Sequence, residues 1–207
     1  MADRGLLAPR SAFAGLLAPV GPTPAGVIVT ELVGLGLAAV EARKGRATDL
    51  IAQVEARYGL SPPKVLRRVA AGSVAFLGVG PNRWLAVSEN VAGFADDLVA
   101  ALDGVASVIA QTDGLAVLRI SGSRVRDTFA KGLPIDLDPC AFAVGDVASS
   151  ILAHIGVTIS RADETAYDVA VPRSFAGDFS HWLAESAAEF GLAGGEGEAD
   201  HGDAAGT

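Results

Sequence analysis

Residues 166–191 read AYDVAVPRSFAGDFSHWLAESAAEFG, and within that stretch the chain changes from strand to helix. Residues 166–171 read as a strand. After it, Phe175, Phe179, Trp182, Leu183 and Phe190 fall on one face at helical spacing, with the small Ser186 among them. Ser174 is placed to cap the start of this helix and Gly191 to close its end. A helix with one broad apolar face needs a sheet to dock on, so the fold class is α+β.

Upstream, the same alternation recurs as strand-strand-helix units. The first places strands at 27–32 and 35–41 around a hairpin at Leu32-Val33-Gly34, then a helix over 48–58. Leu50, Ile51, Val54 and Tyr58 share one face of that helix, and Gly59 and Pro62-Pro63 stop it. The second places strands at 74–79 and 83–87 around Gly80-Pro81-Asn82, then a helix over 91–102. The third places strands at 105–111 and 115–120 around Asp113-Gly114. Its helix starts at Ser121-Gly122-Ser123, where the serines can cap free amides, and Val125 and Phe129 stand four apart within it. Strands at 146–153 and 157–161, joined by a tight reversal at His154-Ile155-Gly156, complete the set.

These elements divide the chain into subdomains at 25–110 and 111–192. Residues 1–24 hold the apolar patch at 13–17, followed by Pro19, Gly21, Pro22 and Pro24, which make an extended N-terminal arm. The arm lies either on another subunit or on its own domain. Residues 193–207 are mainly Gly, Ala, Glu and Asp with no large apolar side chain, so ordering them costs entropy without burial. A disordered acidic tail is expected there.

Composition narrows the function classes. Half of the residues are hydrophobic but only 6% are aromatic, so the core is built from small aliphatic side chains. The net charge of −8, with no basic stripe beyond Lys64, Arg67 and Arg68, argues against nucleic acid. The longest uncharged apolar stretches fall short of the roughly 18 positions of a membrane span. Pro9, Arg10 and Ser11 interrupt what a signal peptide would need as a continuous apolar region. The single cysteine, Cys140, excludes an internal disulfide and a thiolate cage, which suits a reducing, cytoplasmic setting.

The chain offers little chemistry. Its three histidines, His154, His181 and His201, include no pair at helical spacing, which removes zincin-type metal binding. His154 sits in an expected turn, His181 beside Trp182 on the last helix, and His201 in the tail. Gly78-Val79-Gly80-Pro81 completes neither a dinucleotide fingerprint nor a Walker loop, and Ser121-Gly122-Ser123 is not a nucleophile elbow. Cys140 lies between Pro139 and Ala141 with no base nearby in sequence. Trp84 reads as a strand anchor, and Asp96 and Asp97 as a solvated helix surface. No catalytic, cofactor-binding or metal-binding residue is therefore assigned.

Three stretches together resemble the gamma subunits of heterotetrameric sarcosine oxidase. They are LAVLRISG at 115–122 leading to Arg126-Asp127, AKGLPIDLDP at 130–139 continuing to Ala141-Phe142, and VPRSFA at 171–176 followed by His181-Trp182-Leu183 and 188–191. The likeness covers about residues 110–192 and is weaker over 11–88. Gly122-Ser123 stands where the family usually has Gly-Pro, and Leu133 and Cys140 where Cys and Arg are common. The small subunits of N-methylglutamate dehydrogenases and other secondary-amine oxidases are similar.

The resemblance implies a noncatalytic structural subunit, with alpha, beta and delta subunits as partners. It implies FAD, FMN, NAD, zinc and tetrahydrofolate in those partners and none in this chain. The assembly's reaction would be oxidative demethylation of sarcosine to glycine, with the one-carbon unit passed to tetrahydrofolate or released as formaldehyde. It also implies a fold similar to part of the folate-binding aminomethyltransferase. The alternative is an independent folate-binding, aminomethyltransferase-like protein. The Lys-Gly-Cys-Tyr signature of related folate-dependent proteins is not completed, since Leu133-Pro134 follows Lys131-Gly132.

Overall fold

The computed structural model describes residues 10–195. Strands β1 (Val27–Glu31) and β2 (Gly36–Ala42) are followed by helix α1 (Ala47–Tyr58), strands β3 (Arg68–Ala71), β4 (Val74–Gly80) and β5 (Arg83–Ser88), and helix α2 (Phe94–Ala101). Then come β6 (Ala106–Ala110), β7 (Leu115–Ser121), α3 (Val125–Phe129), β8 (Val147–Leu152), β9 (Ile155–Asp163) and β10 (Ala166–Pro172). A 3-10 turn (Arg173–Phe175), α4 (Ala176–Ala187) and β11 (Leu192–Gly195) end the described chain.

Two sheets form, in the orders β3-β4-β5-β2-β6 and β11-β1-β7-β10-β9-β8. The run β7-α3-β8-β9-β10-α4-β11 repeats the element order of β2-α1-β3-β4-β5-α2-β6, with the first strand of each run lying beside the last strand of its meander. The repeating unit is thus larger than strand-strand-helix. It is a strand, a helix, a three-strand meander, a helix and a strand, with β1 inserted between β7 and β11.

This topology corrects two expected hairpins. The strands flanking Leu32-Val33-Gly34 do not pair, because β1 joins β7 and β11 while β2 joins β5 and β6. The strands flanking Asp113-Gly114 also part, β6 to β2 and β7 to β1 and β10. Leu32, Leu35 and Leu115, beside these two bends, pack into the core between the sheets, which turns each reversal into a crossover. Strand β1, from the first part of the chain, belongs to the sheet built by the second half. The reversal at Gly80-Pro81-Asn82 does join paired strands, with Asn82 at φ 56°.

The layers run helix, sheet, sheet, helix. Leu50 and Val54 of α1 and Phe94 and Leu98 of α2 pack on Ala38, Val40, Phe76, Trp84 and Ala86. Val125 and Phe129 of α3 and Phe179 and Leu183 of α4 pack on Val29, Leu118, Tyr167 and Val169. Between the sheets, Leu37, Leu77 and Leu85 meet Val117, Val147 and Ala170. No described helix is long and apolar enough to cross a membrane.

Helix ends depart from expectation. No side chain caps α3 or α4: Arg124 and Phe175 occupy the cap positions, and neither Ser123 nor Ser174 bonds there. The 3-10 turn starts the last helix late and swings Phe175 outward, leaving it 44% exposed while Phe179 and Leu183 are fully buried. Gly191, at φ 80°, closes the segment, and a Cβ there would lie 2.1 Å from the Pro22 carbonyl oxygen.

From Arg10 onward the N-terminal arm packs on the second half of its own chain, and residues 1–9 lie outside the described residues. Phe13 is buried and meets Phe179 edge to face at 6.2 Å. The buried Glu31 carboxylate accepts hydrogen bonds from the Ser11 hydroxyl and from the Ala12 and Phe13 amides. Val20 bridges Leu192. Of the residues expected to form a tail from 193 on, Ala193, Gly194 and Gly195 pair with β1. Residues 196–207, including His201, lie outside the described residues.

Burial raises the Tyr167 phenol above its ordinary pKa, and its hydroxyl has no hydrogen-bond partner among the described residues. Tyr167→Phe is therefore expected to keep stability or raise it by up to about 1 kcal/mol in a urea titration. Glu31→Ala strips the arm of a charged acceptor and is expected to cost about 2–3 kcal/mol. It should also open residues 10–25 to limited proteolysis. An unchanged cleavage pattern would show that Glu31 does not hold the arm.

Candidate functional site

Between the two sheets lies a crevice of ≈ 120 Å³ floored by Leu77, Leu85, Val117 and Ala170. That is small beside the roughly 300–1,000 Å³ of sites that enclose a cofactor or drug-sized ligand. Its walls carry Arg119 of β7 and Asp168 of β10. The two residues are opposite each other in the ladder, and the guanidinium grips both carboxylate oxygens, Nε to Oδ1 at 2.7 Å and Nη2 to Oδ2 at 2.9 Å. The hydrogen bond to Asp168 pushes Arg119 further above its ordinary pKa. A carboxylate whose two oxygens are held by one guanidinium is a poor base, and no histidine or cysteine lines the crevice. The pair lets the charges Arg119 and Asp168 stand on a partly buried sheet face, with Thr158 and Ser160 beside them and Arg68 and Glu89 also lining the crevice. Neither residue was singled out as a site in the sequence. The signal was present, as one lone charge inside each of the apolar runs LAVLRIS and AYDVAV.

The singled-out residues are scattered. His154 adopts φ 72° in the turn between β8 and β9. His181 is exposed on α4, with Nε2 3.4 Å from Glu185 Oε1. Cys140 is exposed, and its amide donates to Asp138 Oδ1 at 2.9 Å, a bond that holds the Asp138 carboxyl below its usual range. Trp84 is buried and its indole N–H donates to the Pro63 carbonyl at 2.8 Å, anchoring β5. Asp97 pairs with Arg57 at 3.3 Å on the surface. Gly122 takes φ 120°, and a Cβ there would lie 2.3 Å from the Gly26 carbonyl oxygen, so Gly122 serves close packing against the segment that enters β1. Among the described residues no three of His, Cys, Asp and Glu cluster as metal ligands.

Two of the three stretches that carried the resemblance meet in space. The Lys131 ammonium donates to the Ser186 carbonyl at 2.5 Å, pairs with Glu189 and lies 4.6 Å from the Phe190 ring centre. A Cβ at Gly132 would come within 2.8 Å of the Trp182 indole nitrogen, so glycine lets the end of α3 close onto α4. Lys131-Gly132 thus acts as a joint between helices. What the geometry assembles is a set of internal clamps, at Arg119–Asp168, Lys131–Glu189 and Glu31 with the arm.

A sequence model of the sarcosine oxidase, gamma subunit family matches residues 44–189. The sarcosine oxidase subunit gamma of an Arthrobacter species is 33% identical over 174 residues, covering 82% of this chain and 84% of that protein. Among solved structures, a chain of the heterotetrameric sarcosine oxidase from Corynebacterium sp. U-96, in complex with pyrrole 2-carboxylate, superposes with a TM-score of 0.78 at 26% identity. It covers 88% of this chain and 96% of that one. The glycine cleavage system aminomethyltransferase T from Bartonella henselae superposes with a TM-score of 0.58 at 16% identity, over 83% of this chain and 48% of that one. That last likeness is one of fold.

Removing one partner of the crevice pair leaves the other charged on a partly buried face. Asp168→Asn and Arg119→Met are each expected to cost about 1 kcal/mol, because Arg119 remains nearly half exposed and solvent screens it. The double variant should recover part of that loss. Strictly additive losses in a double-mutant cycle would show that the pair is not coupled.

Proposed function

This chain belongs to the sarcosine oxidase gamma subunit family, and we propose that it is the noncatalytic structural subunit of a heterotetrameric oxidase of that kind. In this reading the alpha, beta and delta subunits carry the chemistry, with FAD, FMN, NAD, zinc and tetrahydrofolate bound by them. The assembly demethylates sarcosine oxidatively to glycine and passes the one-carbon unit to tetrahydrofolate or releases formaldehyde. A single exposed cysteine and an acidic surface suit a cytoplasmic setting.

The observation that carries the reading is that Arg119 and Lys131, two charged residues of the resembling stretches, are engaged in contacts within the fold. Arg119 grips both carboxylate oxygens of Asp168, and Lys131 bonds the Ser186 carbonyl and Glu189. The glycine-rich turn at Gly80-Pro81-Asn82 joins two strands rather than opening onto a helix N-terminus, where a phosphate would be held.

Purification of the tagged chain from the cell that encodes it tests this reading. Larger subunits with bound yellow flavin are expected to co-elute, and the isolated chain should show no saturable binding in a tetrahydrofolate titration. Elution as a lone monomer would remove the subunit reading. Saturable folate binding by the isolated chain would move the assignment to an independent aminomethyltransferase-like protein.

A further inference from the structure

Two sheets have four edges, and three of them are engaged within the chain. The β11 edge meets the arm, with Val20 and Leu192 exchanging hydrogen bonds at 3.0 and 2.7 Å. The β3 and β8 edges meet each other at the corner between the sheets. There Arg68 donates to the Gly145 carbonyl at 2.8 Å, Val147 donates to the Leu66 carbonyl at 2.9 Å, and Arg67 pairs with Asp146 at 2.7 Å. The fourth edge, β6, has no such cover among the described residues.

Beyond β6 the backbone is free in a regular way. Gln111 donates to Leu37 and Arg43 donates to Val105, so the odd-numbered residues face β2. The amides of Val108 and Ala110 therefore point to the open side. The strand reads Ala106-Ser107-Val108-Ile109-Ala110, with no charge, proline or register shift, and Ile109 is 58% exposed. Unpaired edges in stand-alone proteins are blunted by lysine, proline or bulges, and this one has none of these devices. In the other sheet, the equivalent place beside β1 is filled by β11.

We propose that β6 is a docking edge, to which an extended, uncharged strand of one of the larger oxidase subunits adds by main-chain hydrogen bonds to Val108 and Ala110. An apolar side chain of that strand covers Ile109. The inference rests on the subunit reading above. Charge selects this occupant over a second copy of the chain. Exposed Asp103 and Asp113 flank β6 and make no ion pair with described residues. They stand equally far from Val108, so an antiparallel two-fold pairing about that residue would oppose them across the dimer. Each copy also carries a net charge of −8. A partner strand flanked by lysine or arginine matches the same two acids.

Co-expression of the tagged chain with the other subunits tests the proposal. Ala110→Pro removes one outward amide yet leaves the β2 ladder intact, and Ile109→Lys charges the exposed position. Each is expected to lower the assembled fraction at least tenfold. In the wild-type complex, the Val108 and Ala110 amides should be protected from hydrogen exchange, a readout that does not depend on the variants folding. Both amides exchanging within seconds in the complex overturns the proposal, as does normal assembly of both variants. Dimers of the chain alone that Ala110→Pro breaks, with assembly unaffected, also overturn it. If the wild-type chain does not associate at all, the subunit reading falls and the proposal with it.

Discussion

The packing of one sheet on the other governs the rest of this structure. A sheet with helices on one side and a second sheet on the other must be apolar on both faces over the area of contact. Its strands then lose the alternation of a half-solvated sheet and become nearly continuous apolar runs. GLAAV in β2, VAFLGV in β4, WLAV in β5 and LAVL in β7 are such runs. Ala38 and Val40 turn toward the helices while Leu37 turns toward the opposite sheet. A chain that is half hydrophobic, without a membrane-spanning helix among its described residues, follows from that arrangement.

The same constraint explains how charge is handled. A lone arginine or carboxylate on a doubly packed sheet carries a desolvation cost that only a close partner offsets. Arg119 and Asp168 meet across neighbouring strands, and Glu31 is met by the arm. Lys131 does the corresponding work between α3 and α4, where Gly132 makes room for Trp182. Arg119, Lys131 and Gly132, which lie in the stretches that resemble the family, are in this way engaged within the fold.

Much of the fold was legible in the sequence where the deciding contact is local. The helix at 48–58 was found within one residue because Leu50 and Val54 face the core at helical spacing. The β4–β5 hairpin was legible because Asn82 can take a left-handed backbone and both strands belong to one sheet. Phe179 and Leu183 were read correctly as core, while Phe175 was not, since a 3-10 turn changes the angular register before α4 begins. The short strands β3 and β11 escaped notice. RVAA and LAGG have too little pattern of their own and become strands through the neighbours that pair with them.

By itself the sequence determined which segments are strands and helices over most of the chain, which face of each helix is apolar, and which family the chain resembles. Those follow from spacing within ten or so residues and from particular stretches of residues. The tertiary structure alone decided that the bends at 32–35 and 111–114 pass between sheets instead of closing hairpins, that β1 crosses to the second half, and that Arg119 finds Asp168. A reversal of the chain looks the same locally in either case. Which edge a strand joins depends on which apolar face is left to cover, and that is settled only when both sheets are present.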